Sequence, residues 1–438
     1  MVFSRRTIAF SLTALALLAG GLALGEHRSS APPYDRPAPR MAALSARDRV
    51  LVVAPHPDDE SVGCGGLIAS AVAAGAAVQV VYVTNGDAFR TAAQKLFSEK
   101  SVPSQDYEKL AQMRQREASA ALAKLGVDGS HAVFLGYPDR GIDQLWLRNW
   151  DVADPYTSRY TKTDHGPYGS SLRQHAPYAG RALVDDLESA IRSFRPTMVV
   201  APHPRDIHGD HWSSYCFTVA ALYELKLLDR VKLWLYLVHT QNRWLSPSGR
   251  LLDPTAAPAM PDEFKTQWYT LPLTADEARR KRAAIGEHST QLLIMKDWLM
   301  NFARQRELYG HVPVATFGGF GPVLQRKQPP GGRRAAPEGT IIAMRMGLIS
   351  PGLWIGLDTA RQPSAKVECR AHLHLLHGGR VGPPETYVLR PRSGKPRQSV
   401  EVVVASVPHD VGAVMCAADT WRGSAQLDRI GWAMVRVY

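Results

Sequence analysis

The stretch that decides the fold is RVLVVAPHPDDE, residues 49–60, which joins an apolar run directly to a polar one. Residues 49–54 form a short continuous apolar run, which is typical of a strand buried on both faces. Residues 65–74 then have a helix-like pattern, and residues 78–84 form a second apolar run. Strand, helix and strand at this spacing predict a right-handed parallel unit. We therefore expect residues 56–60 at the carboxyl end of a strand, where open parallel sheets bind ligands.

The same alternation continues along the chain. The sequence Thr274-Ala275-Asp276-Glu277 is a capping box, which marks a helix start. Apolar strands separated by amphipathic helices predict an α/β fold with a mostly parallel sheet covered by helices. The further predicted elements are helices at 107–125, 181–194, 212–225 and 274–286 and strands at 132–135, 197–202 and 232–238.

The pattern changes after residue 308. Pairs of Gly and Pro interrupt all periodicity at 309–339, and we interpret this segment as a linker. Residues 340–438 contain about seven short strand-like segments, several of them with alternating apolar and polar residues. This spacing predicts a small all-β C-terminal domain, either a sandwich or a barrel. The α/β domain is accordingly placed at 48–308.

The beginning of the chain predicts export. Arg5 and Arg6 precede an uncharged stretch at 7–25, and this order is typical of a secretory signal peptide. We assign residues 1–25 to that signal and residues 26–47, rich in Pro, Ser and Arg, to a linker. The 19 uncharged residues also reach the lower end of a membrane span, so an uncleaved membrane anchor is the alternative. The expected location is periplasmic or extracellular, and the export route stays open.

Composition excludes several classes of protein. The 438 residues are 45% hydrophobic and 21% charged, which rules out a disordered, collagen-like or coiled-coil chain. The net charge of +12 is spread along the chain, so no nucleic-acid partner is expected. The four cysteines are too few for a disulfide scaffold. Cys369 and Cys416 would either pair in an exported protein or be small buried hydrophobic residues.

Two clusters of His and Asp follow two different predicted strands. A catalytic zinc keeps three protein ligands and one water, and these clusters supply enough imidazoles and carboxylates for that set. His203 ends its strand close by, and we expect it to be a hydrogen-bonded structural histidine. The first cluster contains His56, Asp58 and Asp59, and the second contains Asp206, His208, Asp210 and His211.

These motifs resemble those of the PIG-L/LmbE-like de-N-acetylases, which are zinc-dependent N-acetylglucosaminyl deacetylases with a Rossmann-like fold. The resemblance covers about residues 48–295 and is of the exported type with an extra C-terminal domain. Nothing similar supports residues 340–438. The matching motifs are His56-Pro57-Asp58-Asp59-Glu60, Gly63-Cys64-Gly65-Gly66, Thr84-Asn85-Gly86, Arg114 with Glu117, Leu125-Gly126, Asp139, Asp206-x-His208-x-Asp210-His211, and His288 with Gln291.

The resemblance implies a catalytic arrangement. His56, Asp59 and His211 would be the ligands of Zn²⁺. Asp58 would be the base that deprotonates the metal-bound water. His208 would stabilise the developing oxyanion or protonate the leaving amine. Amide hydrolysis needs both a nucleophile at neutral pH and an acid for the leaving group, so these roles are chemically reasonable.

The resemblance also implies supporting roles. Asp206 and Asp210 would fix the tautomers of the ligand imidazoles, although Asp210 suits a helix N-cap equally well. Arg114 and Asp139 would contact the substrate. Their alternatives are an ion pair of Arg114 with Glu117 on one helix face and a turn residue at position 139.

The expected function is therefore an exported zinc-dependent hydrolase that removes the N-acetyl group from an N-acetylglucosaminyl-type sugar or glycoconjugate. The aromatic residues of the insertion at 141–179 would either stack on a sugar or pack that loop down. The C-terminal domain would either bind a glycan polymer or pack against the catalytic domain. The alternatives are a non-catalytic carbohydrate-binding protein on the same fold and an amidase for another N-acylated small molecule.

Overall fold

The apolar run that opens the α/β region lies at the centre of a mostly parallel sheet. The computed structural model describes residues 38–98, 100–239, 264–317, 320–326, 336–349, 352–391, 399–404 and 407–437. Within these residues, the strands of the first sheet are β1 (Arg49–Ala54), β2 (Ala77–Thr84), β3 (Ala132–Tyr137), β4 (Met198–Pro202), β5 (Lys232–Tyr236), β6 (Gln267–Pro272) and β7 (Arg306–His311).

The strand order of this sheet is β3-β2-β1-β4-β5-β7-β6. Strand β1 is parallel to both of its neighbours, so that Val52 is paired with Val80 of β2 and with Val200 of β4. Strand β7 is antiparallel to β5, and β6 is antiparallel to β7. The chain turns to opposite sides after β1 and β4. Their neighbouring carboxyl ends therefore form the crevice in which open α/β sheets bind ligands.

Helices cover both faces of the first sheet, which confirms the predicted α/β fold class. One apolar core joins the sheet to α1, α3 and α7, and a second joins it to α4, α5 and α6. The capping box is present: Glu277 N–H donates to the Thr274 hydroxyl and Thr274 N–H donates to the Glu277 carboxylate. The described α-helices are α1 (Asp59–Ala73), α2 (Arg90–Leu96), α3 (Ser104–Leu125), α4 (Ile142–Leu147), α5 (Gly180–Phe194), α6 (Gly209–Glu224), α7 (Ala275–Glu287) and α8 (Ser289–Met300).

The second sheet forms the all-β C-terminal region that the sequence predicts. Its described strands are β8 (Ala315–Phe317), β9 (Gly321–Gln325), β10 (Ile341–Ile349), β11 (Gly352–Thr359), β12 (Glu368–His377), β13 (Arg380–Pro391), β14 (Ser399–Val404), β15 (Ala413–Arg422) and β16 (Ala425–Val437). Their order is β8-β16-β15-β12-β13-β14-β11-β10-β9. Strand β13 pairs with β12 along most of its length and with β14 at its end, and side chains of both halves share one core. The sheet therefore folds into a sandwich.

The inner half of the sandwich, β8-β16-β15-β12-β13, packs against the α/β region. The ring centroid of Trp432 in β16 lies 5.6 Å from that of Trp146 in α4. His374 Nε2 in β12 lies 2.9 Å from the Trp146 carbonyl oxygen. All described residues belong to one compact unit, and one apolar core is continuous across this contact. The two regions thus share buried surface.

Several elements of the structure are not predicted by the sequence pattern. Strands β6 and β7 form an antiparallel edge and are short and partly polar, so neither shows a clear period. Helix α8 follows α7 directly at His288. Part of each predicted linker also pairs with a sheet: Met41 N–H donates to the Thr270 carbonyl, and the segment 309–339 contains β8 and β9.

The predicted signal peptide, residues 1–25, lies outside the described residues. Among the residues that are described, no helix is long and apolar enough to span a bilayer. The four cysteines are free and buried. Cys369 lies opposite Thr420 and Cys416 lies opposite Leu373, so the two sulfur atoms are not brought together.

Candidate functional site

The two polar clusters meet at the carboxyl ends of β1 and β4. The loop after β1 carries His56 and Asp58 and leads into α1, whose first residue is Asp59. The loop after β4 carries Asp206 and leads into α6, whose first turn contains His211. Because β1 and β4 are adjacent and parallel, both loops lie at the same end of the sheet.

Three of the predicted residues form a compact set of ligand atoms. Asp59 Oδ2 lies 3.2 Å from His56 Nδ1 and 3.2 Å from His211 Nε2. All three side chains are buried, and their ligand atoms lie within 4.8 Å of one another. A tetrahedral zinc with ligands at about 2.0–2.1 Å separates neighbouring ligand atoms by about 3.3 Å, so this spacing suits the metal.

Two other His and Asp groups in this cluster are close enough to hold a cation, but their carboxylates accept more backbone N–H groups than Asp59, whose Oδ2 accepts the His56 N–H at 2.9 Å. Asp210 accepts N–H groups from Arg140 and Ile142, and Asp206 accepts three more from residues 208, 238 and 239. The buried His211 Nε2, in contrast, makes no hydrogen bond of good geometry, although it faces Asp59. The set of His56, Asp59 and His211 is therefore the one that fits a metal.

Electrostatics also favour a cation here. Burial opposes protonation of His211, yet the carboxylates of Asp206 and Asp59 outweigh it and raise the pKa to about 10. Burial likewise opposes protonation of His56, but Asp139, Asp210 and Asp59 raise its pKa well above the usual range. Several buried carboxylates thus surround two imidazoles, and the cluster attracts positive charge, whether as protons or as a divalent metal.

Asp206 and Asp210 touch the imidazoles that the sequence predicts for them. Asp206 Oδ2 lies 3.1 Å from His211 Nδ1, and Asp210 Oδ2 lies 3.0 Å from His56 Nε2. Asp210 N–H also donates to His208 Nδ1 at the start of α6, so His208 is the N-cap and Asp210 is not. Both carboxylates therefore contact the nitrogen of a candidate ligand that faces away from Asp59.

Asp58 has an unusual backbone conformation. Its φ of +152° is rare for a residue with a side chain and costs of order 1–3 kcal/mol. Its N–H donates to the Glu60 carboxylate at 3.0 Å, and Glu60 Oε1 lies 3.0 Å from His288 Nε2. Burial raises the pKa of Asp58 to about 6, although the neighbouring Arg114 opposes this rise. The strained turn separates the side chains of Asp58 and Asp59.

Arg114 contacts protein groups at the base of the site. Its guanidinium donates to the Gly86 carbonyl at 3.0 Å, to the Pro57 carbonyl at 2.9 Å and to Asp58 Oδ2 at 3.2 Å. Gly86 has φ +69°, and a Cβ there would lie 2.2 Å from the guanidinium. Glu117 contacts Ser289 and Thr290 rather than Arg114. Arg114 thus fixes the Asp58 carboxylate, and its predicted contact with substrate stays a prediction.

Asp139 lies beside Nε2 of His56, whereas Asp59 lies beside Nδ1. Asp139 Oδ1 is 3.4 Å from His56 Nε2, and Asp139 Oδ2 accepts the Ala88 N–H at 2.9 Å. Asp139 N–H donates to Asp87, whose other oxygen accepts the Tyr168 hydroxyl at 2.6 Å. Asp87 is an addition to the predicted site residues. It belongs to the loop after β2, the strand next to β1. Its position just after a strand of this sheet is the sequence feature that could have predicted it.

His208 and His239 complete the group of histidines. The His208 ring centroid lies 4.9 Å from that of His56 and 5.1 Å from that of His239. Burial and the nearby His56 lower the pKa of His208 to about 4. His239 Nδ1 lies 3.3 Å from Asp206 Oδ1. His239 is not among the predicted site residues, although it follows β5 at the same edge of the sheet.

The remaining predictions near the site concern packing. His203 Nε2 lies 3.0 Å from the Thr266 hydroxyl, and burial lowers its pKa to about 3, as expected for a neutral structural histidine. Four insertion aromatics are buried, which favours packing over sugar stacking for those residues: Trp146, Trp150, Tyr168 and Tyr178.

Comparison with known proteins extends this picture. Residues 51–222 match the family model described as PIG-L: GlcNAc-PI de-N-acetylase. A 1D-myo-inositol 2-acetamido-2-deoxy-alpha-D-glucopyranoside deacetylase of Mycobacterium sp. (strain KMS) is 33% identical over 176 residues, which are 40% of this chain and 50% of that protein. The protein of the same name from Mycobacteroides abscessus is 29% identical over 57% of this chain and 83% of its own length.

One of the solved structures that the chain matches is the N,N'-diacetylchitobiose deacetylase of Pyrococcus horikoshii. It is 20% identical, covers 58% of this chain and 76% of its own, and has a TM-score of 0.35. The chain spans about half the length of the mycobacterial relative at 33% identity. The residues that carry the predicted resemblance lie largely within the matched segment. Residues 51–222 thus match the model of the family that the motifs resemble.

Proposed function

We propose that this protein is a metal-dependent N-deacetylase that acts on an N-acetylglucosaminyl-type sugar or glycoconjugate. The observation that carries the proposal is the buried set of His56, Asp59 and His211, with Asp58 beside it on a strained turn. The deacetylase names of the relatives and of the matching family support the substrate class. The cluster lies at the crevice between β1 and β4, where this fold binds ligands.

Zn²⁺ is the metal that we propose, held by His56, Asp59 and His211. Two imidazoles and one carboxylate are a common donor set for catalytic zinc, which lowers the pKa of a coordinated water and polarises a carbonyl group when bound. Asp206 and Asp210 would orient the two imidazoles from behind.

Asp58 is the proposed general base. Its side chain is 14% exposed, whereas that of Asp59 is 3% exposed, so water reaches the first carboxylate more easily. Arg114 holds one Asp58 oxygen and leaves the other to take a proton from the attacking water.

His208 is the proposed donor to the developing oxyanion. Its Nδ1 accepts the Asp210 N–H, and a neutral imidazole in that state carries its proton on Nε2. The Nε2–H group can then donate to the amide oxygen as negative charge develops there. This favours the oxyanion role over protonation of the leaving amine. For Asp139 we propose a hydrogen bond to a sugar hydroxyl, beside His56.

The proposed activity can be tested directly. Purified protein should contain about one zinc per chain by metal analysis and should release free amine from a panel of N-acetylglucosaminyl compounds. Protein that binds zinc but releases no amine from any N-acetylated sugar would contradict the substrate class. Protein that binds no zinc would contradict the proposed mechanism.

We propose that the outer half of the sandwich binds a glycan chain. Phe320 is 60% exposed, and its ring lies against Gly347. The Trp354 ring lies against Gly356, and a Cβ at either glycine would overlap the neighbouring ring. The Trp354 indole N–H donates to Glu401 at 2.7 Å. Trp354 is half-buried, and its ring centroid lies 5.4 Å from that of Phe320. Such a pair of rings beside a polar group suits the C–H face and the hydroxyls of a sugar.

Electrophoresis in gels that contain soluble glycol chitin tests this glycan site. The unsubstituted protein should be retarded, and Trp354→Ala should migrate as it does without glycan while keeping its zinc. Equal migration of both proteins with and without glycan would contradict the proposal.

We also propose export, on the basis of the signal-like residues 1–25. Protein that lacks these residues should be soluble and active. A requirement for detergent would favour the membrane anchor instead.

A further inference from the structure

Helix α1 carries Asp59 in its first turn, and side chains from outside contact its backbone one turn later. Lys281 Nζ, from α7, donates to the Val62 carbonyl at 3.0 Å. The Tyr309 hydroxyl oxygen, from β7, lies 3.2 Å from the Gly63 carbonyl oxygen. Carbonyl groups inside a helix ordinarily accept the N–H four residues later, so these contacts are unusual.

The N–H groups four residues later are also contacted from outside. Gly66 N–H donates to Glu307 Oε1 at 2.7 Å, and Leu67 N–H donates to Glu307 Oε2 at 2.8 Å. A Cβ at Gly66 would lie 2.8 Å from the Glu307 carboxyl carbon, so this approach requires glycine. Two backbone pairs of α1, Val62–Gly66 and Gly63–Leu67, are therefore contacted by side chains from outside the helix.

Lys281, Glu307 and Tyr309, which we name the α1 clamp, also bind one another. Lys281 Nζ lies 2.5 Å from Glu307 Oε1, and the Tyr309 hydroxyl donates to Glu307 Oε2 at 2.6 Å. Each of the three is at most 5% exposed. Buried ion pairs add little net stability, because the cost of desolvation offsets their attraction. Stabilisation of the fold therefore explains this cluster less well than the positioning of a backbone segment does.

We propose that the α1 clamp positions the first turn of α1, and with it the Asp59 carboxylate, for metal binding. The inference rests on the proposed zinc site. Lys281, Glu307 and Tyr309 do not touch the ligand atoms, so they are positioning residues that act through the backbone of residues 62–67. Metal–ligand distances tolerate only about 0.2 Å, so a small shift of this turn weakens zinc binding.

Two matched tyrosine variants test the inference. Tyr309→Phe removes a buried hydroxyl that donates to Glu307 at 2.6 Å, and Tyr137→Phe removes one that donates to Asp186 at 2.7 Å, away from α1. Zinc dissociation constants are measured by competition with a chelating dye, and stability is measured by urea unfolding of the metal-free proteins. Both variants should lose about 1 kcal/mol of stability.

The zinc affinities separate positioning from general stability. Tyr309→Phe should bind zinc about 10–100-fold more weakly, and Tyr137→Phe should bind it as the unsubstituted protein does. Equal zinc affinity of the two variants would overturn the inference while leaving the proposed function intact. Glu307→Gln replaces one of the two acceptor oxygens by an NH2 group, which cannot accept a backbone N–H, and should weaken zinc binding at least as much. Unchanged affinity in this variant would also overturn the inference. Failure of the unsubstituted protein to bind zinc would overturn the proposed function itself, and the inference with it.

Discussion

The α/β region and the C-terminal sandwich use charged side chains differently. In the α/β region, buried charged groups such as Asp59, His211 and Asp206 converge at the carboxyl ends of two strands. In the sandwich, ion pairs such as Arg345–Asp358 are partly exposed, with side chains 44% and 23% exposed. Partly exposed pairs contribute little to stability, whereas buried convergent charges are costly and mark chemistry. The comparison supports the first region as the place of the proposed reaction and leaves the second with packing and surface roles.

The two regions nevertheless share a core. Trp146 of α4 contacts Trp432 and His374 of the sandwich, and all three are buried. Deletion of residues 340–438 would expose this surface. We expect the truncated protein to be unfolded or aggregated by circular dichroism and size-exclusion chromatography, because the apolar contacts of α4 and α6 are lost. Deletion of residues 1–25 is the control. A soluble, folded truncation that binds zinc would show that the α/β region is independent.

Two tryptophans sharpen the comparison at the level of single residues. Trp146→Ala should lower the free energy of unfolding by about 3–5 kcal/mol, because Trp146 is buried between the two regions. Trp354→Ala, in the outer half of the sandwich, should lower it less, by about 1–2 kcal/mol, because this ring is only half-buried. Urea unfolding of both variants measures the difference, and equal losses would mean that the two sites are packed alike.

A smaller effect is expected from pH. His203 is buried with a pKa lowered to about 3, so it stays neutral in the folded protein when unfolded chains gain a proton below about pH 6.5. Its contribution to stability is therefore present at pH 7 and falls by about 2 kcal/mol at pH 5. His203→Gln should lose that part of the pH dependence in urea unfolding. An unchanged slope in this variant would assign the effect to other groups.

The sequence predicts much of the catalytic cluster because its residues are local. His56 and Asp59 directly follow β1, and Asp206 and His211 directly follow β4. Apolar runs predict those strands, and parallel pairing brings their ends together. Six of the motif residues can thus be placed from pattern alone, once Asp58 and Asp210 are included with these four.

The supporting contacts could not be predicted in the same way. Glu60 and His288 are 228 residues apart in the sequence, and Glu307 lies 241 residues from Gly66. Such contacts depend on how α7 and β7 pack against α1, and no local sequence pattern predicts that packing. The packing of the sandwich, in contrast, is visible in the sequence of one strand. Strand β15 is apolar along most of its length, which is typical of a strand covered on both faces.

The central claim is that two adjacent carboxylates have different tasks, with Asp59 as a zinc ligand and Asp58 as the base. Zinc content and turnover of Asp58→Asn and Asp59→Ala test it most directly. Asp58→Asn should keep nearly one zinc per chain and lose about 10²–10⁴-fold in turnover. Asp59→Ala should lose zinc, because only two imidazoles would remain as protein ligands and they bind the ion too weakly. If Asp58→Asn is free of zinc, or is fully active with zinc bound, the account is contradicted.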